Sequence, residues 1–133
     1  MKRAEVSVIY NKRERVFSAL VDSGNLLCEP ISGRPCIAVD IDAVRGFLPE
    51  ELIKIAAKDN VDLSQVAGSS FAKSIRVVPA HTAAGERILV GFRAERIFID
   101  VGKGRYESDA FVVLSRLDAP LGSEALVPSQ LLN

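Results

Sequence analysis

Apolar residues alternate with charged or small ones over residues 5–10 and again over 15–21, with the polar run Asn11-Lys12-Arg13-Glu14 between them. That pattern predicts a β-hairpin with one buried face. The period then changes. Ser32-Gly33-Arg34-Pro35 marks a turn into a short apolar strand, Cys36-Ile37-Ala38-Val39, of the kind buried on both faces. Asp42 is placed to cap a short turn over residues 44–47. Pro49-Glu50-Glu51 opens a helix to about Lys58, with Leu52, Ile55 and Ala56 at core spacing. Residues 59–74 are polar and small, which predicts a loop with one helical turn near 63–66. Strand periodicity resumes at Ile75, where residues 75–92 read as two strands around a tip without bulky side chains. Residues 96–101 and 110–114 read as two further strands joined across Gly102-Lys103-Gly104-Arg105.

A chain of 133 residues, 48% of them apolar, buries one core of ordinary size and leaves no room for a second lobe, so residues 1–133 are expected to form a single domain. The 17 basic and 17 acidic side chains cancel and intermingle, which removes the field that nucleic acid or an anionic membrane surface requires. No window reaches the roughly 18 apolar residues of a spanning helix, and no apolar stretch follows Met1-Lys2-Arg3, so the stretch reads as soluble. Cys28 and Cys36 lie eight residues apart. A disulfide between them is conceivable, but nothing marks the chain for secretion, and two reduced, partly buried thiols are expected. Their spacing is not the Cys-x-x-Cys of redox proteins. With His81 the only histidine, four-ligand zinc coordination has too few donors, so neither metal nor cofactor is expected.

Chemistry enters at Asp22. In Ser18-Ala19-Leu20-Val21-Asp22-Ser23-Gly24-Asn25 an apolar strand carries a carboxylate into a Ser-Gly turn. A carboxylate in apolar surroundings costs several kcal/mol unless hydrogen bonds or a shared proton compensate it. Two readings stand. Asp-Ser-Gly suits an ordinary Asx turn, and it equally suits the active-site loop of an aspartic peptidase. His81 is no general base by motif, since neither a Gly-x-Ser-x-Gly elbow nor a cysteine nucleophile motif accompanies it; packing or substrate contact is the simpler role. Arg93, Glu95 and Arg96 read as a solvated face, and residues 64–74 as a connector or the wall of a substrate pocket.

The string Leu20-Val21-Asp22-Ser23-Gly24-Asn25-Leu26-Leu27, followed by Glu29-Pro30 and Gly33-Arg34-Pro35, resembles the sporulation sigma-E factor processing peptidases. The likeness extends over nearly the whole chain. It includes Ile75-Arg76-Val77-Val78-Pro79, Leu89-Val90-Gly91-Phe92 and Glu124-Ala125-Leu126-Val127-Pro128. The resemblance implies a mainly β, retropepsin-like closed barrel with one or two short helices and a flap hairpin. It implies Asp22 as the catalytic carboxylate and Ser23 and Gly24 as the active-site loop. In that plan His81, Thr82, Ala83, Ala84, Gly85 and Glu86 form the flap and touch substrate, and small residues there suit a backbone that approaches a ligand or moves on a hinge. An ordinary exposed turn remains the simpler alternative. Pro120-Leu121-Gly122 and Ser123-Glu124-Ala125-Leu126 stand where the plan has an apolar-apolar-Gly motif and a short C-terminal helix, with Pro120 departing from it.

The resemblance further implies a homodimer, the pro-sigma-E precursor as substrate and a secreted signalling protein as partner. It also implies membrane segments upstream that hold the domain on the cytoplasmic side of a membrane at the septum between forespore and mother cell. Only one Asp-Ser-Gly occurs, and Asp40, Asp42, Asp100, Asp109 and Asp118 lack the following Ser-Gly, so a carboxylate dyad needs a second copy. A non-catalytic module that holds a peptide strand in the same groove remains the alternative.

Overall fold

A computed structural model describes residues 2–25, 27–82, 85–117 and 122–132. The first hairpin joins β1 (Arg3–Tyr10) to β2 (Arg13–Asp22), in register from Arg3 opposite Leu20 to Tyr10 opposite Arg13. Its turn is tighter than the polar run suggests. Asn11 and Lys12 alone make it, with φ of 50° and 62°, the left-handed pair whose twist matches the flanking strands. Arg13 and Glu14 stay in the ladder because their side chains find partners: Arg13 donates to the Phe47 carbonyl at 2.7 Å and Glu14 pairs with Arg105 at 3.1 Å.

The remaining strands are β3 (Cys36–Asp40), β4 (Ile75–Thr82), β5 (Gly85–Phe92), β6 (Arg96–Asp100), β7 (Arg105–Ser108), β8 (Phe111–Ser115) and β9 (Ala125–Pro128). Among the described residues they form one sheet in the order β4-β5-β8-β3-β9-β2-β1-β6-β7. α1 (Glu50–Ala56) starts after Pro49 and ends two residues before Lys58. α2 (Leu63–Gly68) is capped by Asp62, whose side chain accepts from the Ser64 and Gln65 N–H groups. No helix among the described residues is long and apolar enough to cross a membrane.

Three expectations are corrected. The sheet is mainly β, as expected, but open rather than a closed barrel: its free edges, β4 and β7, fall at opposite ends of the strand order. Pro79 in β4 has no N–H to offer, and β7 is only four residues long with Arg105 and Glu107 on it, both features that discourage edge pairing. Second, the turn after β6 does not join it to the strand over residues 110–114; it leads into β7, which pairs with β6, while β8 pairs with β3 and β5. Third, residues 123–126, expected as a short C-terminal helix, instead run into the strand β9, and a single 3-10 turn follows it at Ser129–Leu131. Within β9, Ala125 and Val127 bury in the core, and a helix would turn one of them to solvent. The expected Pro120-Leu121 segment, and Ala83 and Ala84, lie outside the described residues.

β9 matters most for the site. It is parallel to β2, with Ala19 opposite Ala125 and Asp22 opposite Pro128, and antiparallel to β3. β2 and β3 follow one another in the chain yet are separated by β9, so the chain must leave the sheet at Asp22 and return at Cys36. The larger core cluster includes Val6, Phe17, Ile37, Val39, Leu52, Ile99 and Val127. A smaller one, of Cys36, Val78, Ala80, Leu89, Phe111 and Val113 with Leu27 against it, lies under the β4–β5 hairpin.

Candidate active site

Asp22 is the last rung of the β2–β9 ladder, and its partner Pro128 has no N–H. The backbone therefore turns on itself. The Asn25 N–H donates to the Asp22 carbonyl at 3.2 Å, and the Gly24 N–H donates to Asp22 Oδ1 at 2.9 Å. This is the Asx geometry anticipated as the bland reading, but it engages one carboxylate oxygen. The half-buried side chain also lines a groove of about 430 Å³. Among the described residues none forms an ion pair with it.

Ser23 is exposed at the turn. Gly24 is not in the left-handed region, so no backbone strain explains the glycine. A Cβ at Gly24 would stand 3.3 Å from Asp22 Oδ1, so glycine is there to let backbone and carboxylate approach.

The opposite wall comes from β4 and β5. Pro79, Ala80, His81 and Leu89 face the groove, whose floor and end are made by Leu27, Ala38, Leu117 and Leu126. The volume and the apolar walls around a few polar groups suit a peptide side chain or a small ligand. His81 is thus brought to Asp22's groove. Glu86 pairs with His81 across the hairpin, Nδ1 to Oε1 at 3.4 Å, with both side chains largely exposed. Thr82 and Gly85 form the last described rung, and Gly85 sits at φ 117°, a conformation glycine adopts without strain.

Sequence reasoning passed over two residues of the loop. Asn25, quoted there only as part of a motif, is buried and bonded on both ends of its amide: Nδ2 donates to the Cys36 carbonyl at 3.3 Å and Oδ1 accepts from the Leu27 N–H at 3.2 Å. Glu29 is 2% exposed, and its carboxylate accepts from the N–H groups of Ile31 at 2.9 Å and Ser32 at 2.8 Å. Burial, the largest single influence, pushes its carboxyl up. The Ile31 N–H, the Ser32 hydroxyl and N–H, and the Arg76 charge together outweigh it and hold the group below the usual range. The available signal was a Glu just before Pro30 in a turn-rich stretch, a place where a carboxylate finds free N–H groups.

Both cysteines are free. Cys28 is exposed rather than partly buried, and Cys36 is fully buried. Burial, and then the neighbouring Cys28 and Glu29, push the Cys36 thiol up to about 12, which leaves it protonated and inert as a nucleophile at neutral pH. Among the described residues no group of three His, Cys, Asp or Glu side chains converges as a metal site would require.

Comparisons with known proteins agree on one lineage. The peptidase U4 family model, described as sporulation factor SpoIIGA, matches residues 1–119. The sporulation sigma-E factor-processing peptidase of Priestia megaterium (strain ATCC 12872 / QMB1551) is 28% identical over 76 residues, 56% of this chain and 25% of that protein. The stretch matched is thus a quarter of the relative's length. No solved structure matches.

Proposed function

This chain belongs to the sporulation factor SpoIIGA family of peptidases, and on that premise we propose that it is the aspartic endopeptidase domain of a protein that cleaves a sigma-E precursor. The observation that carries the reading is Asp22 itself. A carboxylate at the end of a core strand, held by the Gly24 N–H at 2.9 Å, opens into an apolar groove beneath a hairpin.

Amide hydrolysis of this type needs two carboxylates that share one proton, because like charges about 3 Å apart cannot both ionise. The chain supplies one Asp-Ser-Gly, so the active species is a homodimer with Asp22 of each copy facing across the two-fold axis. The ionised member takes a proton from the attacking water. Its protonated twin donates to the carbonyl oxygen; the tetrahedral species then collapses as the first carboxyl passes the water's proton to the departing amine nitrogen and the second takes a proton back from the gem-diol, restoring the shared proton. The two apparent pKa values belong to the pair. Exposed Ser23 supplies a hydroxyl at the turn, and His81 and the hairpin contact the substrate strand. A secreted trigger and an upstream membrane anchor, implied by the resemblance, belong to the same proposal.

The test is cleavage of purified precursor by wild type and Asp22→Ala at matched, verified folding. The variant is expected to lose roughly 10⁴-fold in kcat, and wild-type activity to rise with the square of protein concentration where dimer is scarce. Wild-type cleavage by Asp22→Ala rejects the assignment. Tight precursor binding by both proteins without cleavage by either identifies a non-catalytic peptide-holding module instead.

A further inference from the structure

We propose that Asn25 is a positioning residue for the Asp22 carboxylate, its side-chain amide spliced into a backbone rung that would otherwise be missing. The proposal rests on the peptidase reading above.

In a regular antiparallel pair two facing residues exchange both backbone bonds. Leu27 and Cys36 make only one of the two: the Cys36 N–H donates to the Leu27 carbonyl at 2.9 Å. The other is relayed. The Leu27 N–H donates to Asn25 Oδ1 at 3.2 Å, and Asn25 Nδ2 donates to the Cys36 carbonyl at 3.3 Å. One primary amide thus stands between donor and acceptor and satisfies both. Meanwhile the Asn25 N–H donates to the Asp22 carbonyl at 3.2 Å. A continuous path of bonds therefore runs from Asp22 through Asn25 to β3. The β2–β9 ladder has already ended at Asp22, where Pro128 offers no donor.

The consequence is positional. Proton sharing and water activation require the carboxylate to stay within a few tenths of an ångström of its productive place. Gly24 fixes the carboxylate relative to its own turn, and Asn25 fixes the turn relative to the sheet. Asparagine is the residue that can do this: Asp lacks the donor and Ala lacks both groups. The charged or titratable groups around the position are Asp22 on the same loop, His81 on β4 across the groove, Cys36 on β3, and Glu29 further along the loop.

Two variants of the whole chain test it, Asn25→Ala and Asn25→Asp, each with precursor cleavage and amide hydrogen exchange. Asn25→Ala is expected to keep its secondary structure and oligomeric state, to lose about 30-fold in kcat with KM within about threefold, and to speed exchange at the Leu27 N–H at least about tenfold. Asn25→Asp retains the acceptor for Leu27. When ionised it cannot donate to the Cys36 carbonyl; when protonated it is an isostere of the amide and donates again. Its kcat relative to wild type should therefore rise as pH falls, whereas the ratio for Asn25→Ala stays flat.

Wild-type kcat in Asn25→Ala, an Asn25→Asp ratio independent of pH, or unchanged Leu27 exchange overturns the proposal. If instead Asp22→Ala cleaves like wild type, or wild type fails to cleave, the peptidase reading has failed. Leu27 exchange then still decides whether Asn25 holds the loop.

Discussion

Two walls face each other across the groove, and they are held by different means. The Asp22 loop is fixed by particular buried side chains: the Asn25 amide bridges to β3, and the Glu29 carboxylate gathers two N–H groups of its own turn. The β4–β5 hairpin is held by plain backbone pairing, in register from Ile75 opposite Phe92 to Thr82 opposite Gly85. Among the described residues the hairpin's strand pairing beyond β5 is to β8 at Val90 to Phe92, and Val78, Ala80 and Leu89 pack into the smaller core cluster. At that root the fit is tight. A Cβ on Gly91 would meet the Val112 carbonyl at 3.2 Å. Further out, the described part of the hairpin carries the exposed His81–Glu86 pair. Under the proposed function the contrast is that of a fixed reacting group beneath a cover that opens for a peptide. It also says where substitutions should hurt: specific ones in the loop, almost none at the hairpin's outer end.

The contrast is strained hardest at Gly24. Gly24→Ala places a methyl 3.3 Å from Asp22 Oδ1, tighter than an unforced contact, so either the carboxylate or the turn shifts by a few tenths of an ångström. A shift of that size is expected to cost about tenfold in kcat with little change in melting temperature. Steady-state cleavage set beside thermal unfolding checks it. A variant as active as wild type would mean that the carboxylate position is tolerant, and the loop would then be no more exacting than the hairpin.

Glu29→Gln separates rigidity from reactivity in the same loop. The amide cannot accept from both the Ile31 and Ser32 N–H groups, and a buried donor left unpaired costs about 1–2 kcal/mol, read from the denaturant midpoint. The pH dependence carries a sign. In the folded chain the Glu29 carboxyl lies below its ordinary range, so the unfolded chain takes up the proton first. The stabilisation is complete above that ordinary range and disappears as pH falls through the folded value. The gap between wild type and Glu29→Gln should be widest near neutrality and close in acid. A gap that stays constant or widens with acid contradicts the carboxylate's role as loop clamp.

Much of this arrangement was legible in the sequence because local pattern and burial agree there. The β1–β2 hairpin, the Cys36–Val39 strand, α1 and the β4–β5 hairpin each follow their hydrophobic period or their capping residues. So does the placement of Asp22 at a strand end. What failed was non-local. Ala125-Leu126-Val127-Pro128 is too short to declare itself a strand; it becomes one because the gap between β2 and β3 supplies partners on both sides. Arg105-Tyr106-Glu107-Ser108 has a strand's alternation but sits beside a glycine-rich turn, and its stability comes from β6, where Arg96 pairs with Glu107 at 3.0 Å and Arg105 stacks on Phe98. Barrel closure could not be read either, since it depends on which edges meet. Asn25 was invisible for a related reason: a buried amide in a turn-rich stretch looks like any turn asparagine until its two partners, nine residues apart, are brought together.

The smallest expected effect lies on the hairpin. Glu86→Gln removes the partner of His81, in a pair whose side chains are 81% and 75% exposed. Exposed pairs of this kind contribute little, because water screens the charges and two long side chains must be ordered to form them. The melting midpoint should move by no more than about 2 °C. His81 lines the groove whereas Glu86 does not, so freeing the imidazole should show in substrate binding rather than in chemistry: KM changes by at most about threefold and kcat stays put. A loss of kcat matching that of Gly24→Ala would erase the distinction between the two walls. The hairpin's outer end would then have to be counted as fixed machinery, held as closely as the loop it faces.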